Sequence, residues 1–137
     1  MIFIDTNVVS ETMREKPDAR VSAWLERHDA ELALSTIVLA EIAFGIERIR
    51  PEQRARRFET RFQALRRRFA GRLFTLNEEA ALAYGELMGQ AMRQGITITM
   101  ADGMIAAIAR VNGGRLATRN IRDFQAAGLR LYDPWAD

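Results

Sequence analysis

The first ten residues constrain the fold more than any other stretch of the chain. Residues 2–4 form a short apolar run, and a single carboxylate, Asp5, follows where a strand would end and a helix begin. Two further apolar stretches each contain one isolated acid, Glu41 in the first and Asp102 in the second. An ionised carboxylate in apolar surroundings is costly unless a partner compensates its charge. The pattern therefore predicts that the three acids gather around one cation.

Length and composition predict a single domain over residues 1–137. A chain of 137 residues with 48% hydrophobic residues is long enough to enclose a core. It contains no cysteine, which excludes disulfides and thiolate chemistry and suits a reducing compartment, so we expect a cytoplasmic protein. Acids interrupt the apolar runs, so none reaches the roughly 18 residues of a membrane span. The first residues also lack the features of a signal peptide.

Basic residues are concentrated in one segment. Ten arginines and two glutamates lie in residues 48–72, a local excess of +8 in a chain whose net charge is only +2. Such an excess favours a polyanionic partner such as a nucleic acid. A basic helix is nevertheless often no more than a solvated surface. The role of residues 48–72 therefore stays open between a nucleic acid, a protein partner and a second copy of the chain.

Short apolar strands alternate with helices along the whole chain. The strands are predicted at residues 2–4, 32–34, 73–76, 115–118 and 129–132. Alternation of this kind predicts an α/β protein with a parallel sheet and helices on both faces. Ligands of such sheets bind beyond the carboxyl ends of the strands. Four acids lie near predicted strand ends or in the helices beside them, and the topology can bring them to one edge: Asp5, Glu41, Asp102 and Asp123.

Two helices carry more specific expectations. The helix after residue 77 is predicted to place Leu82, Leu87 and Met88 on its buried side. A short helix bearing Asp123 is predicted to begin with Asn120 as its cap.

The acids suit a hard divalent cation. Carboxylates crowded together repel, so they either take up protons or hold such an ion, and Mg²⁺ or Mn²⁺ prefers an all-oxygen site. An ion of this kind can lower the pKa of a water molecule and polarise a phosphodiester. Taken singly, Asp5 fits a helix cap, Asp102 a first-turn residue and Asp123 a surface acid. Glu41 has no such explanation, since it lies in the middle of an apolar helix.

Several sequence blocks resemble one known family. The blocks are Ile4 to Glu11, Leu34 to Ile37 with Ala40-Glu41 and Gly45-Ile46, Ala101 to Gly103 with Ile105 to Ala109, Ala117 to Asn120 with Asp123-Phe124, Ala127 to Leu129, and Asp133 to Trp135. In this order the chain resembles PIN-domain ribonucleases of the VapC toxin type, FitB-like branch. The resemblance implies a three-layer sandwich around a five-stranded parallel sheet. It also implies endoribonuclease activity that depends on Mg²⁺ or Mn²⁺, a homodimer, and inhibition by a cognate antitoxin in a heterotetramer or larger assembly.

The resemblance also assigns residues. Asp5, Glu41 and Asp102 match the three shared acids of the family. The family places a fourth acid directly after Thr-Arg or three residues later, where this chain has Asn120 and Asp123. We expect Asp5, Glu41, Asp102 and Asp123 to be the catalytic and metal-binding residues, although either Asn120 or Asp123 can complete the site. The residues expected to support this set are Asn7, Thr118 and Asn120.

Two other functions compete with a ribonuclease. A non-catalytic PIN-fold module that binds RNA or an antitoxin would keep the fold and bind RNA in a salt-sensitive manner without cleaving it. A phospho-acceptor domain also has acids at the edge of a parallel sheet. It normally needs a lysine late in the chain, whereas the only lysine here is Lys16, so it ranks last.

Overall fold

A computed structural model describes every residue from Met1 to Asp137. The five strands are β1 (Ile2–Ile4), β2 (Leu32–Ser35), β3 (Leu73–Phe74), β4 (Arg115–Ala117) and β5 (Leu131–Tyr132). The seven helices are α1 (Thr6–Thr12), α2 (Ala19–Arg27), α3 (Thr36–Arg48), α4 (Gln53–Arg68), α5 (Glu78–Arg93), α6 (Met100–Val111) and α7 (Ile121–Phe124). Short 3-10 turns lie at Asp29–Glu31 and Gln125–Ala127.

The strands form one parallel sheet with the order β3-β2-β1-β4-β5. Strand β1 lies at the centre, where Ile2 is in register with Leu32 on one side and Arg115 on the other. All three residues of β1 are buried, which explains why its sequence is apolar without alternation. The residue after β1 therefore emerges at the middle of the carboxyl edge.

Helices cover both faces of the sheet. Parallel strands are joined by right-handed crossovers, so the connections β1–β2 and β2–β3 share one face and the return from β3 to β4 crosses the other. The packing agrees, because α1 contacts α2 and α3, α3 contacts α4, and α5 lies against α6. The two layers also meet, since α3 contacts α6. The predicted three-layer α/β fold is confirmed.

Some local expectations were wrong. Leu82 was expected to be buried, but it is 71% exposed, because the inner face of α5 is formed by Ala80, Leu87 and Ala91. The Asn120 side chain does not cap α7. The strands β3 and β5 are each two residues long, shorter than the four residues predicted.

None of the helices combines the length and the apolar character that crossing a membrane would require.

Candidate active site

Asp5 lies at the carboxyl end of the central strand and caps α1. Its Oδ1 accepts a hydrogen bond from the Val8 N–H at 3.0 Å, which satisfies a free donor in the first helical turn. Its Oδ2 accepts one from the Thr118 hydroxyl at 2.5 Å. The residue is only 2% exposed. The prediction that Asp5 follows a buried strand is confirmed, and the aspartate is held from both oxygens.

Burial makes the Asp5 carboxylate an unusually weak acid. Loss of solvation raises its pKa from 3.8 to about 6. Hydrogen bonds from Thr118 and from the backbone N–H of Val8 and Asn7 lower the pKa in part, whereas the charge of Asp102 raises it further. The ionised form of Asp5 is therefore unfavourable in the folded protein, and a nearby positive charge would stabilise it.

Asp102 lies in the first turn of α6. The Thr99 side chain caps this helix by accepting a hydrogen bond from the Asp102 N–H at 3.2 Å, and Asp102 is the first-turn residue that the sequence predicted. The next residue, Gly103, leaves no room for a side chain, because a Cβ there would lie 2.6 Å from Met88 Sδ. This close packing on α5 fixes the start of α6. The pKa of Asp102 is raised, first by burial and then by the charges of Glu41 and Asp123.

Glu41 is held by a residue that the sequence did not single out. The Thr6 hydroxyl donates to Glu41 Oε1 at 2.5 Å and so links the start of α1 to the middle of α3. Glu41 is only half-buried, so its carboxylate keeps part of its contact with solvent although the helix is apolar. Thr6 directly follows Asp5 in the sequence, but nothing in the spacing indicates that its hydroxyl reaches α3.

The remaining predicted residues differ in how they take part. Asp123 is exposed on α7, and its charge contributes to the raised pKa of Asp102. Asn120 and Asn7 are exposed and act through their backbone. The Asn120 N–H donates to Thr118 Oγ1 at 2.9 Å, and the Asn7 N–H stabilises the Asp5 carboxylate. Neither amide side chain donates to an acid of the site, so both residues support it through the backbone.

Asp102 connects the acids electrostatically. Its charge raises the pKa of Asp5, and the charges of Glu41 and Asp123 raise the pKa of Asp102. No three acidic side chains are already close enough together to hold a single ion in this conformation. The arrangement is therefore an extended acidic edge rather than a closed cage.

A cleft of about 640 Å³ begins at this edge and runs between α1, α3 and α4. Thr6, Asn7 and Glu41 line its acidic end. Four arginines also line it: Arg14, Arg48, Arg54 and Arg119. A cleft that joins carboxylates to guanidinium groups suits an anionic chain that carries its charge at regular intervals.

The basic segment is only partly available to a partner. Arg50 forms ion pairs with both Glu47 and Glu59. Arg54 pairs with Glu52, and Arg68 pairs with Asp29. Arg61 and Arg72 instead donate to backbone carbonyls. Five arginines of the segment have no acidic partner: Arg48, Arg56, Arg57, Arg66 and Arg67.

The sequence also matches a known protein family. A model of the PIN domain matches residues 2–128. The chain belongs to the PIN-domain family.

Relatives of known name match this PIN domain over nearly their whole length. It is 39% identical to the VapC ribonuclease Y4jK of Sinorhizobium fredii, covering 98% of each chain. It is 36% identical to the toxin FitB of Neisseria gonorrhoeae, covering 100% of both. The crystal structure of FitAcB from the same organism superposes with a TM-score of 0.92 at 34% identity over 100% of both chains. The resemblance inferred from the sequence is confirmed.

The residues of this PIN domain fit a divalent metal ion. Nucleases of the family generally depend on such ions. Here the donors are all carboxylate and hydroxyl oxygens, which suit a hard cation. The raised pKa values of Asp5 and Asp102 reflect surplus negative charge and burial that a cation would offset.

Proposed function

We propose that this protein is a metal-dependent endoribonuclease and the toxin component of a toxin–antitoxin pair. The observation that carries the proposal is the position of Asp102, whose carboxylate is coupled to Asp5, Glu41 and Asp123 at the carboxyl edge of the sheet. The names of the relatives, a VapC ribonuclease and a toxin, support the same conclusion. The reaction is hydrolysis of RNA phosphodiester bonds.

The proposed roles follow from how each side chain is held. Asp5 and Asp102 bind the principal ion, Mg²⁺ or Mn²⁺, because they carry the charge that is least stabilised by solvent. Glu41 orients the ion or a water molecule, since the hydroxyl of Thr6 occupies only one of its two oxygens. Asp123 is exposed and supports a second ion.

The bound ion would supply polarisation of the phosphodiester and a water molecule of lowered pKa. The chain itself holds Asp5 in one orientation through Thr118 and Val8. Burial of Asp5 keeps competing water molecules away from it. The arginines of the cleft attract the RNA backbone and offset the repulsion from the acids.

The proposal is tested by comparing Asp102→Asn with Glu78→Gln. Both positions lie in the first turn of a helix, but only the charge of Asp102 acts on Asp5, and Glu78 affects the pKa of neither Asp5 nor Asp102. With Mg²⁺ or Mn²⁺, wild type and Glu78→Gln should cut a labelled single-stranded RNA internally, whereas Asp102→Asn should lose more than the roughly 10- to 100-fold in rate that losing an outer-shell partner of a metal ion costs. Chelation by EDTA should stop cleavage, and added metal should restore it. Equal cleavage by Asp102→Asn and wild type would refute the assignment.

The non-catalytic alternative has its own support, because no three acids are already gathered for one ion. It predicts RNA binding that weakens steeply with salt and no metal-dependent products. Intact RNA after incubation of the bound complex with each metal would favour it.

We further propose that residues 1–137 form one domain, since one cluster of buried apolar residues joins both helical layers to the sheet. A cognate antitoxin would cover the cleft and place a cation near the acids, because the negative charge there attracts one. We also propose that the chain forms a homodimer, either alone or within a heterotetramer or larger assembly with the antitoxin. Its proposed location is the cytoplasm. The absence of cysteine supports that location.

A further inference from the structure

The guanidinium group of Arg119 lies beside the acidic edge without a partner in the chain. Arg119 directly follows Thr118, whose hydroxyl binds Asp5, and its side chain lines the same cleft as Thr6 and Glu41. The residue is exposed. It forms none of the ion pairs in the protein, and its guanidinium donates no hydrogen bond to another residue. Its five N–H groups are therefore available to a ligand.

The other arginines of the cleft differ from Arg119. Arg14 pairs with Glu11 at 3.2 Å, and Arg54 pairs with Glu52 at 2.6 Å, so much of their charge is neutralised locally. Arg48 has no acidic partner, but no aromatic ring holds it. Arg119 alone among the four combines a free charge with a support that restricts where its guanidinium lies.

That support is Trp135. The Arg119 guanidinium carbon lies 4.8 Å from the centre of the Trp135 ring, a cation–π contact. The ring is buried, and the backbone N–H of Trp135 donates to Asp133 Oδ1 at 2.9 Å, which fixes the turn that carries the ring. Stacking uses the face of the guanidinium, whereas its N–H donors point outward in the plane of the group. The contact therefore positions the charge and leaves the hydrogen-bonding edge free.

We propose that Arg119 is a substrate-binding residue that holds a phosphate group of the RNA beside the acidic edge, and that Trp135 is its positioning residue. The proposal rests on the ribonuclease function argued above. The carboxylates of the edge repel the phosphates of an approaching nucleic acid. A fixed positive charge beside them offsets this repulsion. The planar fork of arginine also matches two phosphate oxygens, which a lysine cannot do.

Arg119→Gln and Arg119→Lys test the proposal, with Arg67→Gln as the matched control. Arg67 is an exposed arginine on α4 with no ion pair, and it does not line the cleft. The probe is a short fluorescent single-stranded RNA of mixed sequence. Its dissociation constant is measured in EDTA at several KCl concentrations, and its cleavage with Mn²⁺ gives kcat and KM.

Arg119→Gln should weaken RNA binding by about 10- to 100-fold, the range for one lost hydrogen-bonded charge. The slope of log K against log salt should fall in magnitude by about 0.7, as for one lost phosphate contact on a single strand. Arg119→Lys should restore the slope but only part of the affinity. Arg67→Gln should match wild type in cleavage. Unchanged affinity and slope in Arg119→Gln would overturn the proposal.

Two variants of Trp135 test its positioning role. Trp135→Leu removes the ring and should raise KM several-fold while kcat changes less, whereas Trp135→Phe keeps a ring and should recover much of the loss. Because Trp135 is buried, thermal melting checks that each variant is folded at the assay temperature. Equal KM values for folded Trp135→Leu and wild type would remove Trp135 from the proposal.

The outcomes also separate this inference from the function it rests on. If wild type cleaves RNA and Arg119→Gln does so equally well, only the role of Arg119 is wrong. If wild type neither cleaves nor binds RNA, both proposals fail. If Arg119→Gln binds and cleaves RNA normally but no longer binds a purified cognate antitoxin, the free charge recognises a protein carboxylate instead, and the RNA assignment is overturned.

Discussion

The Thr118 hydroxyl donates a hydrogen bond to Asp5 Oδ2 at 2.5 Å, although the two residues are 113 positions apart in the sequence. The sheet explains this contact. Ile4 of β1 is in register with Ala117 of β4, and the Asp5 N–H donates to the Ala117 carbonyl at 3.1 Å. The next residue on each strand therefore emerges at the same point of the carboxyl edge. Two neighbouring strands thus fix the aspartate without any help from a ligand.

Thr118→Val should raise the pKa of Asp5 above its present value of about 6. The hydroxyl stabilises the ionised carboxylate, so its removal favours the protonated form. The acidic limb of the cleavage rate against pH should move to higher pH. An unsatisfied buried oxygen should also cost about 1–3 kcal/mol of unfolding free energy.

The measurements for Thr118→Val are a pH–rate profile and urea unfolding at neutral pH. Thr60→Val is the control, since Thr60 is exposed and its hydroxyl bonds only to its own helix. An acidic limb at the same pH in Thr118→Val and wild type would contradict the role of this hydrogen bond.

Asp5→Asn should abolish cleavage and yet stabilise the metal-free protein above pH 6. The pKa of Asp5 is higher in the folded state than its reference value of 3.8, so folding takes up a proton. Its contribution to stability is fully present below about pH 4 and is lost as the pH rises to about 6. A difference of about two pKa units corresponds to about 3 kcal/mol. Asparagine carries no charge and avoids this loss.

Thermal melting in EDTA from pH 4 to pH 8 measures the effect. The wild type should lose stability relative to Asp5→Asn as the pH rises through this range, and the curves should run parallel above pH 6.5. Asp123→Asn is a suitable control because Asp123 is exposed. A stability difference between wild type and Asp5→Asn that stays constant from pH 4 to pH 8 would mean that burial does not penalise the charge of Asp5.

Thr6→Val should reduce cleavage by about tenfold, the scale of one lost hydrogen bond to a charged group, with little change in stability. The Thr6 hydroxyl fixes one oxygen of Glu41, and this half-buried pair can be rehydrated when the hydroxyl is removed. Glu41→Gln keeps the hydrogen-bond acceptor but removes the charge, so it should lose far more activity than Thr6→Val.

Steady-state kinetics of both variants with Mn²⁺ compare the two effects. Thr12→Val provides the control, because Thr12 lies on the same helix and its hydroxyl bonds to the Val9 carbonyl. Equal rates for Thr6→Val and wild type would indicate that Glu41 needs no positioning.

The sequence predicted those parts of the site that depend on local pattern. Asp5 after a buried strand and Asp102 in the first turn of a helix follow from strand and helix rules, and their placement was confirmed. The hydrogen bond from Thr6 to Glu41 was missed, because it depends on how closely α1 packs on α3. The sequence also assigned Asn7 and Asn120 a supporting role without distinguishing side chain from backbone. Both act through backbone N–H groups, which no side-chain pattern reveals.

The expected burial of Leu82 failed for a related reason. Helix α5 has apolar or small residues on more than one side, so periodicity alone does not identify the face that packs against α6. Ala80, Leu87 and Ala91 pack inward, and Leu82 is left outside. Packing against neighbouring elements, rather than the sequence of the helix itself, chose between the two faces.

The exposed side of α5 predicts a homodimer. Leu82 and Met92 are 71% and 81% exposed, and Gly85 and Gly89 lie between them on the same side of the helix. Apolar groups separated by small residues allow two helices to approach closely, and a twofold axis would pair each surface with itself.

We expect wild type to have twice the chain mass of 15.6 kDa in light scattering, and Leu82→Glu to have the mass of one chain. Leu73→Glu, at an exposed residue of the edge strand β3, should leave the mass unchanged. A mass of one chain for wild type at micromolar concentration would disprove the dimer, and a dimeric Leu82→Glu would place its interface elsewhere.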